Sequence, residues 1–185
     1  MTLNIPTLLT LLRITFIPII VASYIYDEGK YRDIAAYIFL LALLTDYFDG
    51  VIARKLDQVT TFGTFLDPIA DKLLVVVTVV LLSSSNDSML FLVSALIIVS
   101  REFLVIAIRQ RLAEIKSSIC MKVNTLGKVK TGFQMTSLFF LIHTNIFFDV
   151  LNLHTLGLLL LFISAVLTVI SFVYYVRNSW NDIIK

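Results

Sequence analysis

The chain has 185 residues, of which 58% are hydrophobic and only 15% are charged, and its mean hydropathy is +0.93. This composition is too apolar for a soluble domain of that size and indicates a single integral membrane domain over residues 1–185. A formal net charge of +2 is too small to indicate a nucleic-acid partner, and a single cysteine excludes both an intrachain disulfide and a multi-cysteine metal site.

Six apolar stretches are long enough for membrane-spanning helices, each of which needs about 20 mostly apolar residues. They cover residues 8–26, 34–53, 65–82, 89–108, 129–148 and 156–176. The sequence therefore predicts an all-α integral membrane protein with six transmembrane helices. Arg13 interrupts the first apolar run, so we expect this stretch to be a retained span rather than a cleaved signal peptide.

Polar residues recur at every third position near the N-terminus. They are Asn4, Thr7, Thr10 and Arg13, with leucines and an isoleucine between them. In a helix this spacing aligns one polar stripe on an apolar body, which is typical of a segment lying in the membrane interface. We predict an N-terminal amphipathic interfacial segment, and the alternative is an ordinary amphipathic helix start that contacts no ligand.

Lysine and arginine are distributed unevenly over the connections between the predicted spans. One side carries Arg54, Lys55, Arg109, Arg111, Lys116, Lys122, Lys128, Lys130, Arg177 and Lys185. The other side carries only Lys30 and Arg32. Because the more basic connections stay in the cytoplasm, we expect both termini and the loop between the second and third spans to lie there.

Four aspartates lie near the facing ends of the second and third spans. At 3.6 residues per turn, the residues that share a face are Asp46, Asp49, Gly50 and Ala53 on one helix, and Gly63, Asp67 and Asp71 on the next. The short linker makes these helices antiparallel neighbours. Since each intramembrane aspartate costs about 2.5 to 3.5 kcal/mol, four of them indicate a function.

Ionised carboxylates this close together repel each other and need cations or shared protons. Two divalent cations would balance the four charges. A donor set of carboxylate oxygens with no nearby histidine or cysteine favours Mg²⁺ or Mn²⁺ over zinc, and such ions commonly hold substrate phosphates as well. Gly50 and Gly63 would let a nucleotide or phosphate approach the backbone, or alternatively let the helices pack closely.

These residues resemble the complete signature of the CDP-alcohol phosphatidyltransferases. The matching positions are Asp46-x-x-Asp49-Gly50-x-x-Ala53-Arg54 and, after eight residues, Gly63-x-x-x-Asp67-x-x-x-Asp71. The N-terminal NIPTLLTLLRI, SREF at residues 100–103 and GKVKTGFQM at residues 127–135 are similar to one subfamily, the bacterial phosphatidylglycerophosphate synthases. The resemblance implies transfer of the phosphatidyl group from CDP-diacylglycerol to sn-glycerol 3-phosphate, with release of CMP.

The resemblance also implies roles for individual residues. The four aspartates would hold two metal ions, and Asp71 would in addition be the general base. The positions expected around CDP-diacylglycerol are Asp46, Gly50, Ala53, Arg54, Thr60 and Gly63. Because the acceptor carries a dianionic phosphate, a cationic pocket is expected for it, and its candidates are Arg101, Arg109, Lys128 and Lys130. A homodimer in the bacterial inner membrane, in contact with membrane lipid and with its active site facing the cytoplasm, is implied as well.

Three alternatives remain open from the residues. A transferase of the same class could use inositol phosphate or serine as acceptor. A di-metal membrane prenyltransferase also pairs aspartate-rich helices, although the short gap and the Gly-x-x-Ala-Arg continuation argue against it. A cation transporter could line its path with aspartates, but such a path expects carboxylates spread through the membrane rather than clustered at one end beside basic residues.

Overall fold

The computed structural model of the chain describes residues 4–26, 30–56, 61–114, 125–143 and 152–183. Within these ranges the regular elements are six α-helices, so the all-α prediction is confirmed. They are α1 (Ile5–Tyr26), α2 (Lys30–Leu56), α3 (Thr61–Ser83), α4 (Met89–Glu114), α5 (Thr125–Ile142) and α6 (Leu153–Ile183). Each helix contains or largely overlaps one of the six predicted apolar stretches.

Three of the described helices are long and apolar enough to cross a membrane. Their apolar segments are Thr7–Tyr26, Met89–Leu112 and Leu153–Asn178, with mean hydropathies of 2.0, 2.3 and 2.7. The chain is therefore a membrane protein. Helix α3 carries Asp67, Asp71 and Lys72 within its length. That α2, α3 and α5 also cross the membrane remains a prediction.

Helix α1 buries one stripe along its whole length. The side chains buried on it are Thr7, Thr10, Arg13, Ile17, Ile20 and Tyr24. They recur every three or four residues, as on one face of a helix, and the polar members all lie in the N-terminal half. In the structure α1 runs without a break from Ile5 to Tyr26, and its polar stripe contacts neighbouring helices. The position of this segment in the membrane interface remains a prediction.

The chain forms two compact units, and the first comprises Met1–Ser85 and Leu138–Leu156. In this unit α1 packs against both α2 and α3. Fully buried alanines on α2, which are Ala35, Ala36 and Ala42, let the helices approach closely. Arg32 on α2 donates hydrogen bonds to two hydroxyls, those of Tyr24 near the C-terminal end of α1 and of Ser85. These bonds connect α1 and α2 to the residues just after α3.

The first unit also contains a buried contact between a histidine and an aspartate. Nδ1 of His143, the residue after α5, lies 2.9 Å from Oδ1 of Asp33 in the first turn of α2. The imidazole ring stacks on Phe139, with 5.9 Å between the ring centroids. This contact connects the end of α5 to the start of α2.

The second unit comprises Asn86–Ser137 and Gly157–Lys185, which include α4, most of α5 and α6. Two serine hydroxyls join α5 to α6 through backbone carbonyls. Ser137 Oγ donates to the oxygen of Gly157 at 2.8 Å, and Ser164 Oγ donates to the oxygen of Lys130 at 3.1 Å. Because these hydroxyls are buried, the bonds satisfy polar groups in apolar surroundings and fix the backbone at Lys130.

Candidate functional site

The carboxylates of Asp46 and Asp71 converge on the guanidinium of Arg13. Nη1 of Arg13 lies 3.0 Å from Oδ1 of Asp46 and donates a hydrogen bond of 2.5 Å to Oδ1 of Asp71. Both oxygens contact the same nitrogen atom, so the two carboxylates lie close together. Helices α2 and α3 thus bring two of the four predicted aspartates together, and α1 supplies the cation between them.

A third aspartate has its own donor on α1. The hydroxyl of Thr10 donates a hydrogen bond to Oδ1 of Asp67. Thr10 and Arg13 are three residues apart on α1, and their partners Asp67 and Asp71 are four residues apart on α3, so one turn of each helix provides both contacts. The N-terminal half of α1 is therefore part of the aspartate site.

Burial differs sharply between the cation and the carboxylates. The Arg13 side chain is 0% exposed, whereas the side chains of Asp46 and Asp71 are 47% and 36% exposed. A buried guanidinium is costly unless carboxylates pair with it, and here two of them do. The carboxylates themselves remain accessible to a ligand from outside.

The remaining predicted residues of this site are only partly described. Gly63 is buried near the start of α3. Four further predicted residues belong to α2, but only their backbone is described; they are Asp49, Gly50, Ala53 and Arg54. Thr60 lies outside the described residues altogether.

The described side chains do not by themselves complete a metal centre. Among them, no three or more histidine, cysteine, aspartate or glutamate residues form a group that could hold a metal ion. Asp49, one of the four predicted ligands, is not in that set, so the complete ligand group remains a prediction.

Two of the predicted donors, Asp46 and Asp71, do come together, and their chemistry suits a hard divalent cation. Asp46 and Asp71 offer partly exposed carboxylate oxygens from two helices, and Asp67 follows on the same helix as Asp71. Oxygen donors of this kind suit Mg²⁺ and Mn²⁺. Arg13 already contacts the oxygens of Asp46 and Asp71 with its guanidinium, so this position favours positive charge.

The second unit holds a buried cluster of charges centred on Glu102. Oε1 of Glu102 lies 2.9 Å from Nζ of Lys130 and 3.2 Å from Nη1 of Arg101. Arg101 also donates to the hydroxyl of Ser171 at 3.3 Å. The side chains of Lys130 and Glu102 are 5% and 8% exposed. Among the described side chains, two cations share this one carboxylate, and such an excess of positive charge suits an anion.

No described ion pair joins Glu102 to the other two cations predicted for the acceptor. Arg109 lies farther along α4 and is exposed, and it is close enough to Arg101 and Tyr175 to interact with both electrostatically. Lys128 lies in α5 with its side chain outside the described part of the structure.

Sequence reasoning missed the roles of Arg13, Thr10 and Glu102. For Arg13 a signal was present, because an arginine in an apolar span carries the same insertion cost that marked the aspartates. The polar stripe was assigned to the membrane interface instead. For Glu102 the sequence offers its position beside Arg101, but nothing in the sequence connects it to Lys130, 28 positions away.

A sequence model of the family described as CDP-alcohol phosphatidyltransferase matches residues 3–176. With nearly the whole chain matched, the protein belongs to the CDP-alcohol phosphatidyltransferase family, and the resemblance seen in the aspartate signature is confirmed.

Individual relatives narrow the comparison, and each carries the name CDP-diacylglycerol--glycerol-3-phosphate 3-phosphatidyltransferase. The protein from Wigglesworthia glossinidia brevipalpis is 36% identical over 185 residues, which is 100% of both chains. That from Salmonella choleraesuis (strain SC-B67) is 37% identical over 100% of this chain and 99% of the relative. That from Rickettsia bellii (strain RML369-C) is 40% identical over 168 residues, or 91% of each chain.

Proposed function

We propose that the protein transfers the phosphatidyl group of CDP-diacylglycerol to sn-glycerol 3-phosphate, forming phosphatidylglycerophosphate and CMP. The observation that carries this proposal is the similarity, over the full length of the chain, to relatives named for that reaction. The convergence of Asp46 and Asp71 within the family signature supports it.

The aspartates are proposed to hold two divalent cations, Mg²⁺ or Mn²⁺, through Asp46, Asp49, Asp67 and Asp71. When bound, these cations would neutralise the pyrophosphate of CDP-diacylglycerol and stabilise the charge that develops on CMP. The donor-binding residues are proposed to be Asp46, Gly50, Ala53, Arg54, Thr60 and Gly63. Among them Arg54 supplies a positive charge for the phosphates.

Asp71 is proposed as the general base of the reaction. Its carboxylate accepts the proton of the glycerol 3-phosphate 1-hydroxyl while that oxygen bonds to the β-phosphorus and the bond to CMP breaks. The side chain of Asp71 is 36% exposed, so a substrate hydroxyl has access to it. The hydrogen bond from Arg13 holds this carboxylate in one orientation.

The acceptor phosphate is proposed to be bound by Arg101, Arg109, Lys128 and Lys130. The positive excess around Glu102 supports this role for Arg101 and Lys130. It favours an acceptor that carries a phosphate over serine, which has none. Inositol phosphate has a similar charge, so the similarity to the named relatives decides between it and glycerol 3-phosphate.

The cellular setting is proposed as the bacterial inner membrane, with six spans and with both termini and the aspartate site on the cytoplasmic side. The asymmetry of lysine and arginine between the two sets of connections and the bacterial origin of the relatives support this orientation. A homodimer is proposed from the family resemblance.

Release of CMP tests the proposal directly. Purified protein with CDP-diacylglycerol and Mg²⁺ or Mn²⁺ should release CMP when glycerol 3-phosphate is added. Asp71→Asn should lower the rate at least about a hundredfold, because the amide cannot accept the proton. Asp87→Asn makes the same carboxylate-to-amide change at an exposed connection and should leave the rate unchanged.

Other outcomes would assign a different function. CMP release with inositol phosphate or serine, but not with glycerol 3-phosphate, would keep the reaction class and change the acceptor. Reaction with a labelled prenyl diphosphate would indicate a prenyltransferase. Uptake of Mn²⁺ into vesicles containing the protein, without CMP release, would indicate a cation transporter.

A further inference from the structure

Arg13 contacts the same carboxylate oxygens that the proposed function assigns to metal ions. Its Nη1 lies 3.0 Å from Oδ1 of Asp46 and 2.5 Å from Oδ1 of Asp71, and its side chain is fully buried. We propose that Arg13 is a positioning residue that serves as a built-in counter-cation of the aspartate site. It holds Asp46 and Asp71 together and competes with divalent cations for their oxygens.

The first part of the inference follows from charge. Asp46 on α2 and Asp71 on α3 repel each other when both are ionised. Arg13 enters from a third helix and attracts both carboxylates, so it offsets this repulsion where α1 packs against α2 and α3. Its planar guanidinium offers several N–H donors, whereas a lysine would offer a single point charge on a flexible stem.

The second part follows from the shared oxygen atoms. A divalent cation bound by Asp46 and Asp71 has the positive Arg13 as a close neighbour, which weakens its binding. The same carboxylates are engaged in hydrogen bonds or ion pairs with Arg13 that a metal ion must share or replace. Arg13 therefore lowers the affinity of the site for metal, and it stabilises the fold when metal is scarce.

The test is thermal unfolding of the full-length protein in detergent, in EDTA and over a series of Mn²⁺ concentrations. Arg13→Gln should melt at a lower temperature than the wild type in EDTA. Mn²⁺ should raise its Tm more than that of the wild type, and half-saturation should occur at a Mn²⁺ concentration about tenfold lower. Arg13→Lys, which keeps the charge, should lie between the two.

Arg32→Gln is the matched control, because Arg32 belongs to the same unit and donates to the hydroxyls of Tyr24 and Ser85. Its Tm should fall by the same amount at every Mn²⁺ concentration. The double variant Arg13→Gln/Asp71→Asn removes one of the repelling charges, so in EDTA it should melt above Arg13→Gln alone.

Three results would overturn the inference. The first is that Arg13→Gln melts below the wild type by the same amount in EDTA and at saturating Mn²⁺. The second is that Arg13→Gln reaches half-saturation at the same Mn²⁺ concentration as the wild type or at a higher one. The third is failure of the double variant to melt above the single one.

The inference rests on the proposed metal site, but the two fail differently. If the wild type releases CMP with Mn²⁺ and any of these three results is obtained, only the role of Arg13 is wrong. If the wild type neither responds to Mn²⁺ nor releases CMP, both are wrong.

Discussion

At the level of single residues, Thr10 and Arg13 bind neighbouring carboxylates in different ways. Thr10 donates a neutral hydroxyl to Asp67, which orients this carboxylate without cancelling its charge. Arg13 brings a full positive charge to Asp46 and Asp71. Asp67 therefore keeps more of its negative charge for a bound cation than its two neighbours do.

Thr10→Val tests the orienting role of the hydroxyl on Asp67. Valine has nearly the same shape but cannot donate, and a hydrogen bond to a charged group is worth about 1.5 to 3 kcal/mol, so CMP release should slow at least about tenfold. Thr10→Ser, which restores the hydroxyl, should recover most of the rate.

A matched control for Thr10→Val lies on the same helix. Thr15 is exposed and its hydroxyl bonds to the carbonyl of Leu11, so Thr15→Val should keep the wild-type rate. Equal rates for Thr10→Val and Thr10→Ser would contradict the role of the hydroxyl.

The aspartates were predictable from sequence, whereas their partners on α1 were not. Helical spacing is a local property, so it identified the faces of α2 and α3 that carry Asp46, Asp67 and Asp71. The bond between Arg13 and Asp71 joins residues 58 positions apart. A polar stripe at helical spacing fits a lipid interface and a polar neighbouring helix equally well, and only packing decides between them.

At the level of helices, α4, α5 and α6 assemble the basic cluster from four side chains. Arg101 and Glu102 are adjacent on α4, Lys130 comes from α5 and Ser171 from α6. Ser164 fixes the backbone of α5 at Lys130 through the carbonyl oxygen. Glu102 therefore sets where the two positive charges lie, in addition to neutralising one of them.

Lys130→Gln tests the role of this cluster in acceptor binding. It removes one of the two cations proposed for the phosphate, so KM for glycerol 3-phosphate should rise at least about tenfold, as expected when a charge-assisted bond is lost. KM for CDP-diacylglycerol should stay unchanged. Arg101 still pairs with Glu102 in this variant, which keeps the buried carboxylate from being left alone.

Arg111→Gln is the matched control. Arg111 forms an exposed ion pair with Glu114, also on α4, so this substitution should change neither KM. Equal increases in both KM values for Lys130→Gln would point to a general structural effect instead of acceptor binding.

The existence of the six helices was predictable from apolar runs, but their ends were not. Helix α4 continues to Glu114 and α6 to Ile183, beyond the predicted stretches 89–108 and 156–176. Counting apolar residues finds the part of a helix that suits lipid. Backbone hydrogen bonding continues through polar residues outside that part, so the helices are longer.

At the level of the whole molecule, the composition alone predicts a membrane protein. The number of spans depends on helices that carry both apolar and charged residues, such as α3. Helices α1, α4 and α6 are apolar enough to cross by themselves. Helix α3 carries Asp67, Asp71 and Lys72, and its crossing of the membrane remains a prediction. The bonds from Thr10 to Asp67 and from Arg13 to Asp71 give two of these charges a polar partner, which a span through lipid would require.

The predicted orientation of the chain is open to a labelling experiment. Cys120 is the single cysteine, so Cys120→Ser provides a cysteine-free background for single cysteines at two exposed positions, Asp87 and Arg177. With six spans, the connection that contains Asp87 lies outside the cytoplasm and the more basic end near Arg177 lies inside it. A membrane-impermeant thiol reagent should therefore label Asp87→Cys when added to cells whose inner membrane is intact. It should label Arg177→Cys only after that membrane is permeabilised.

CMP release by both variants provides the control for folding. The reverse labelling pattern would contradict the six-span orientation, and so would labelling of both positions before permeabilisation.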